Sequence, residues 1–181
     1  MKRRQAITTS AALLGGMYLG TRWLTGCAPE KHPDLFSPET TALLNQVGEI
    51  IIPATPGSPG ASAAHIGEFM QVMVADCYDE AHRNVFADGV HELTSKNFMD
   101  LNQAAQIDFL VELEKEALNY NERRAEHSPK HYFSLMKDLT MQGYFSSEVG
   151  ATTALRHVPI PGRYDGCVDY VAGTPAWANQ G

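Results

Sequence analysis

The stretch Ile107-Asp108-Phe109-Leu110-Val111-Glu112-Leu113-Glu114-Lys115-Glu116-Ala117-Leu118 decides the fold class. Ile107, Leu110, Val111 and Leu118 recur at helical spacing and form one face. Asp108, Glu112 and Glu116 follow at i, i+4 and i+8 and form another. This pattern predicts an amphipathic helix from about Asn102 to Arg124, with the acidic row as its solvated side.

The same period continues outward in both directions. Upstream, Ser37-Pro38-Glu39 reads as a helix start: a hydroxyl cap, Pro in the first helical position and an acid in the first turn. Leu43, Val47, Ile50 and Ile51 carry that helix to Pro53. Pro56, Gly57, Pro59 and Gly60 mark the stretch 54–64 as a loop. Ile66, Phe69, Met70, Met73 and Cys77 make the next apolar stripe, with Cys77 on its inner side. Phe86, Val90 and Leu93 make a third. Downstream, Ser128-Pro129 reads as the start of a fifth helix bearing Phe133, Met136, Leu139 and Gly143. A short sixth is expected from Ser147 to about His157. Alternating strand patterns are scarce. The expected fold is mostly α: one compact helical domain over 37–181, with about five to six helices. From Val158 to Gly181 the period stops. Pro159, Pro161, Pro175, four glycines, Tyr164, Tyr170 and Trp177 make an irregular Pro/Gly/aromatic-rich segment. Disordered tails are usually short of aromatics, so this one is expected to be stapled to its own core or docked on a partner.

The N-terminus carries an address. Met1-Lys2-Arg3-Arg4 precedes a diluted apolar run from Ala6 to Thr21, and Leu24-Thr25-Gly26-Cys27 follows. A basic start, a short apolar run and a small residue before a processing point make an export signal over 1–26. The Arg3-Arg4 pair fits the twin-arginine kind, although Lys2 and Ala6 depart from its usual flanks and an ordinary secretory signal stays open. Leu24 to Cys27 resembles a bacterial lipobox, with Cys27 as the lipidation site. Residues 27–36 then read as a tether. The apolar run is short for a membrane span, which needs about 20 residues. An uncleaved anchor is the competing reading.

Cleavage before Cys27 would take 26 residues from the 181 and leave 155, enough for one domain with a real core. It would also remove four of the 14 basic residues, leaving 10 against 21 acidic ones, a net −11. That balance argues against nucleic acid as a partner and against broad adhesion to anionic lipid. Cys77 and Cys167 remain as an even pair in a chain bound for an oxidising compartment. They are expected to form a disulfide, the alternative being two unpaired thiols.

Chemical motifs are few. The chain has no G-x-G-x-x-G, no P-loop, no C-x-x-C and no G-x-S-x-G. Asp79-x-x-His82 and Asp88-x-x-His91 are short-armed versions of a di-iron pair and lack inward Glu partners. His127 and His131 are four apart across Pro129 and read as cap histidines rather than metal ligands. Asp76 beside Cys77 disfavours a nucleophilic thiolate. No catalytic, cofactor-binding or metal-binding residue is expected in this chain.

Two groups of residues carry a family likeness. One is Glu49-Ile50-Ile51-Ile52-Pro53-Ala54-Thr55, Pro59-Gly60-Ala61 and Phe69 to Tyr78. The other is Gly143-Tyr144-Phe145-Ser146-Ser147-Glu148-Val149-Gly150 to Leu155, with Val158-Pro159-Ile160-Pro161-Gly162-Arg163-Tyr164-Asp165-Gly166-Cys167. Together they resemble the gluconate 2-dehydrogenase subunit 3 family over about residues 40–170. The resemblance implies a non-catalytic small subunit. It would serve a large FAD-dependent dehydrogenase of the glucose-methanol-choline oxidoreductase kind, exported with it as a hitch-hiker, with a c-type cytochrome carrying haem c as a further subunit. Substrates of such complexes include gluconate, other sugars and polyols, and glycosides. Tyr144, Phe145, Arg163 and Tyr164 are then expected to dock the partner, because aromatics and Arg dominate interface energetics. A structural lipoprotein without a redox partner and a small metalloprotein are the other classes in view.

Overall fold

The computed structural model describes residues 34–160, 162, 167, 169 and 171–178. The export signal with Arg3 and Arg4, the lipidation site Cys27, and the docking candidates Arg163 and Tyr164 lie outside the described residues. Among the described residues five α-helices follow one another: α1 Pro38–Ile51, α2 Ile66–Cys77, α3 Glu80–Ser95, α4 Gln103–Arg123 and α5 Tyr132–Ser146. Short 3-10 turns stand at Ala61–Ala64 and Phe98–Asp100, and a π-type turn at Gly150–Ala154. Among the described residues there is no strand, only two isolated bridges. The mostly helical fold is as the periodicity predicts.

Caps explain the helix starts. Ser37 accepts from the Thr40 amide, Asp79 from His82, and Asn102 from Ala105. Each side chain satisfies an amide that the first turn leaves without a carbonyl. α5 starts later than Ser128-Pro129 suggests. His131 is its cap, with Nδ1 accepting from the Phe133 amide at 3.2 Å.

α5 is the hub and packs against all four other helices. Its Leu135, Met136, Leu139 and Tyr144 meet Leu44 and Val47 of α1, Ile66, Met70 and Val74 of α2, and Phe86, Val90 and Leu93 of α3 in one core. α4 joins it with a different face from the one its sequence suggests. The buried stripe is Gln106, Leu110, Leu113 and Ala117. Ile107, Val111 and Leu118 are exposed instead. The polar Gln106 fits inside because its amide donates to the Phe98 carbonyl and accepts from Gln46. A buried amide with both ends paired costs little. Asp108, Glu112 and Glu116 are exposed, as expected of a solvated row.

Cys77 also departs from expectation. The apolar stripe of α2 ends at Val74, and Cys77 is the helix's last residue, exposed to solvent. Cys167 is exposed as well. Both thiols are free, so the expected Cys77–Cys167 bridge is not made in this structure. The end of the expected tether is tied to the domain: the Leu35 carbonyl accepts from Gln71, which also donates to Thr41 at 2.8 Å.

Candidate functional site

The two motif groups, about ninety residues apart in sequence, meet in space. Glu49 sits near the end of α1 and closes the loop that follows. Its carboxylate accepts from the Ala54 amide at 2.9 Å, the Ser62 amide at 3.0 Å and the Ser62 hydroxyl. Partial burial pushes the Glu49 pKa up, but the Ser62 and Ala54 hydrogen bonds outweigh it and leave it below the usual glutamate value. Tyr144 reaches the same loop from α5. Its hydroxyl donates to the Pro59 carbonyl, so at 2.6 Å it accepts from Ser58.

This geometry corrects the expectation for Tyr144. It is only 1% exposed and belongs to the core, so it has no surface to offer a partner. The residues after it are also structural. Ser147 donates to the Tyr144 carbonyl and accepts from the Gly150 amide, which sets up the π-type turn. A Cβ at Gly150 would stand 2.0 Å from the Tyr144 carbonyl oxygen, a backbone atom that cannot step aside. The second motif group is therefore in large part an instruction for folding.

Phe145 is different. It stands edge-on to Tyr144, with centroids 5.2 Å apart, and is 37% exposed. It ends a line of side chains on α5: Ser134, Lys137, Met141 and Phe145. Ser134 accepts from Asn121 of α4, and Lys137 pairs with Glu114 of α4. One and two turns further on, both helices show exposed apolar residues, Met141 and Phe145 on α5 and Val111 and Ile107 on α4. The outer side of this helical hairpin thus mixes these polar pairs with exposed apolar residues, Leu118 among them. Sequence spacing reads the α4 residues as core, because an exposed apolar stripe has the same period as a buried one.

The tail carries further exposed apolar groups. Ile160 is 84% exposed, Val171 65% and Trp177 49%. Arg156 and Trp177 are bridged, and the Arg156 guanidinium lies 4.2 Å from the centroid of the Trp177 indole. Neither Arg156 nor Ile160 stands out by spacing. Their role emerges only from where the chain returns.

Of the histidine pair, His131 is a capping residue. His131 Nδ1 is engaged by the Phe133 amide, and the His131 amide donates to Asn121. Burial holds its pKa below the usual histidine value, against the upward pull of Glu116 and Glu92. Tyr132 beside it is buried, and burial together with the nearby Glu92 carboxylate pushes its pKa far up. Among the described residues no three His, Cys, Asp or Glu side chains are placed to hold a metal, and no helix is long and apolar enough to cross a membrane.

Fold and surface define a small all-helical domain with a core completed by its own motifs and apolar groups left uncovered on a hairpin edge and a tail. Over residues 38–162 it matches the family model described as Gluconate 2-dehydrogenase subunit 3, and the chain belongs to that family. The family is that of an accessory subunit of a dehydrogenase complex. No curated protein and no solved structure was found to match the chain.

Proposed function

We propose that this chain is the non-catalytic accessory subunit of a periplasmic FAD-dependent dehydrogenase of the glucose-methanol-choline oxidoreductase type. The complex would oxidise a sugar, an aldonate or a glycoside. FAD would sit in the large subunit and haem c in a cytochrome subunit. The family membership over 38–162 carries this reading. The exposed apolar tail and hairpin edge support it, since uncovered apolar groups of this kind are common at protein–protein contacts. Phe145, Arg163 and Tyr164 remain the docking candidates of the original set.

The small subunit would escort the large one through twin-arginine export, stabilise it, and tether the pair to the membrane through a lipid on Cys27. Folded export makes sense when the cofactor is loaded before transport, even if another chain holds it. Co-expression tests the reading. The large subunit should fail to fold, bind FAD or reach the periplasm without this chain, and normal export of holo-dehydrogenase alone would overturn the escort role. Replacing Arg3 and Arg4 by Lys should strand both proteins in the cytosol; unaffected export would remove the twin-arginine route.

A further inference from the structure

α4 carries two lines of residues with the same spacing. Gln106, Leu110, Leu113 and Ala117 step by four, three and four, and all are buried. Ile107, Val111, Glu114 and Leu118 repeat those steps one residue further on. Alternating steps of four and three let one helix lie along another. The core fills the inner line. The outer one is open, with Ile107, Val111 and Leu118 exposed. Single exposed apolar residues are ordinary. Three on one helical line, over about 16 Å, make an uncovered seam.

The one charged residue in that line is neutralised, since Lys137 of α5 pairs with Glu114. That pair, together with Asn121 on Ser134, sets α5 antiparallel to α4. One turn beyond Lys137, the exposed Met141 stands level with Val111. The seam therefore lies on two packed helices and is shaped before a partner arrives, so its ordering does not weaken association.

Charge beside the seam selects the occupant. Asp108, Lys115 and Glu122 flank it at intervals of seven residues. Lys115 is held by Glu112 at 2.6 Å. Asp108 and Glu122 are exposed and make no ion pair among the described residues. The flank thus offers negative charge that nothing described here compensates. A second copy would bring the same acids, on a chain with 21 acidic against 14 basic residues, and an anionic lipid surface is repelled in the same way. A helix with an apolar line and basic residues beside it meets both features.

We propose that the outer seam of α4, formed by Ile107, Val111 and Leu118 with Met141 of α5 at its side, receives a helix of the large dehydrogenase subunit whose apolar line is flanked by Lys or Arg. The proposal rests on the accessory-subunit reading above and adds to it the surface used and the chemistry of its partner.

The test uses the full chain, tagged and purified from its own cells with the flavoprotein it carries. That flavoprotein is identified by mass and flavin spectrum, then separated and titrated with variants of this chain. Val111→Asp/Leu118→Asp should weaken binding about a hundredfold or more, because two carboxylates then lie inside an apolar contact. Asp108→Lys/Glu122→Lys should slow association about tenfold at low salt, with the difference shrinking as salt is raised. Val72→Asp alters a similarly exposed valine on α2, outside the seam, and should bind within about twofold of the unaltered chain. Circular dichroism melting checks that every variant is folded.

Unchanged affinity in the Val111/Leu118 double variant would overturn the proposal, and so would an equal loss in Val72→Asp. Association as fast or faster in the Asp108/Glu122 double variant would overturn the basic flank assigned to the partner. A dimer of the unaltered chain in sedimentation that the Val111/Leu118 variant abolishes, with flavoprotein binding intact, would give the seam to a second copy and overturn the proposal. Loss of binding to phosphatidylcholine–phosphatidylglycerol vesicles in that variant, with flavoprotein binding intact, would make the seam a membrane element and overturn it as well. Failure of the unaltered chain to carry any flavoprotein would instead strike the accessory-subunit reading beneath it.

Discussion

Two isoleucines mark the contrast between the two parts of this chain. Ile66 in α2 has no exposed surface, whereas Ile160 in the tail is among the most exposed apolar residues described. Val74 and Val171 repeat the contrast. The residue types compared are the same on both sides. What differs is period: Ile66, Met70 and Val74 recur every turn and share one line facing α1 and α5, while Ile160 and Val171 sit in a segment that never repeats. A line of apolar groups can be buried by one neighbouring helix. Scattered ones need a surface shaped to meet each of them, and among the described residues they find none.

The largest expected effect lies on the helical side. Leu44→Ala removes a fully buried side chain at the meeting of α1 with the core and should cost about 2–5 kcal/mol. Ile160→Ala should stay within about 0.5 kcal/mol, since no core cavity follows. Urea unfolding of the two variants measures the difference. Similar losses at both positions would mean that the tail packs on the body, and the contrast would fail.

Next in size is the junction of the two motif groups. Tyr144→Phe leaves the Pro59 carbonyl without its donor and Ser58 without its acceptor, at a part-buried site. A loss of about 1–2 kcal/mol is expected in the same urea experiment. A neutral result would mean that water replaces the hydroxyl and that the loop is looser than its hydrogen bonds suggest.

Much of the helical side is legible in the sequence. The Ser37 cap and the ends of α1 and α2 follow from Pro and Gly positions and apolar spacing. α4 shows where that legibility ends. Its residues offer two plausible apolar lines, and the one chosen depends on where Gln106 finds amide partners in Gln46 and Phe98, which no local pattern reveals. Tyr144 shows the same limit. An aromatic inside a family motif reads equally as anchor or core, and only the position of Pro59 and Ser58 decides. In the tail the aromatic content pointed to a docked or stapled segment. The contact described there is Arg156 on Trp177, a pairing across 21 positions with no sequence signature.

Glu49 gives a smaller and pH-dependent effect. Its folded pKa lies below the ordinary glutamate value, so the unfolded chain binds the proton more readily. Its contribution is therefore fully present above the ordinary pKa, about 4.3, and is lost as pH falls through that value towards the depressed one. Glu49→Gln keeps an acceptor but removes the charge. It should cost about 1 kcal/mol at pH 7 and progressively less below pH 4.5. His131 adds to acid sensitivity in a higher range. Its depressed pKa means that stability is lost as pH falls below the ordinary histidine value, about 6.5. Denaturation curves of the unaltered chain and Glu49→Gln from pH 7 to pH 3.5 should converge at the acid end, and curves that stay parallel would contradict the role given to the carboxylate.

The smallest effect on stability is expected at the contact of Arg156 with Trp177. Trp177→Ala removes the ring under the Arg156 guanidinium. An exposed cation–π contact is worth about 0.5–1 kcal/mol, and here that energy joins Arg156 to Trp177 rather than holding the helical core. Local closure of this kind opens on its own, well below the free energy of global unfolding. Thermal unfolding should therefore be unchanged, while the Ala178 amide, which donates to the Arg156 carbonyl, loses hydrogen-exchange protection. Core amides such as those of α5 should exchange as before. If Trp177→Ala instead lowers the melting temperature and speeds exchange in α5, the tail is part of the cooperative core, and the contrast between body and tail does not hold.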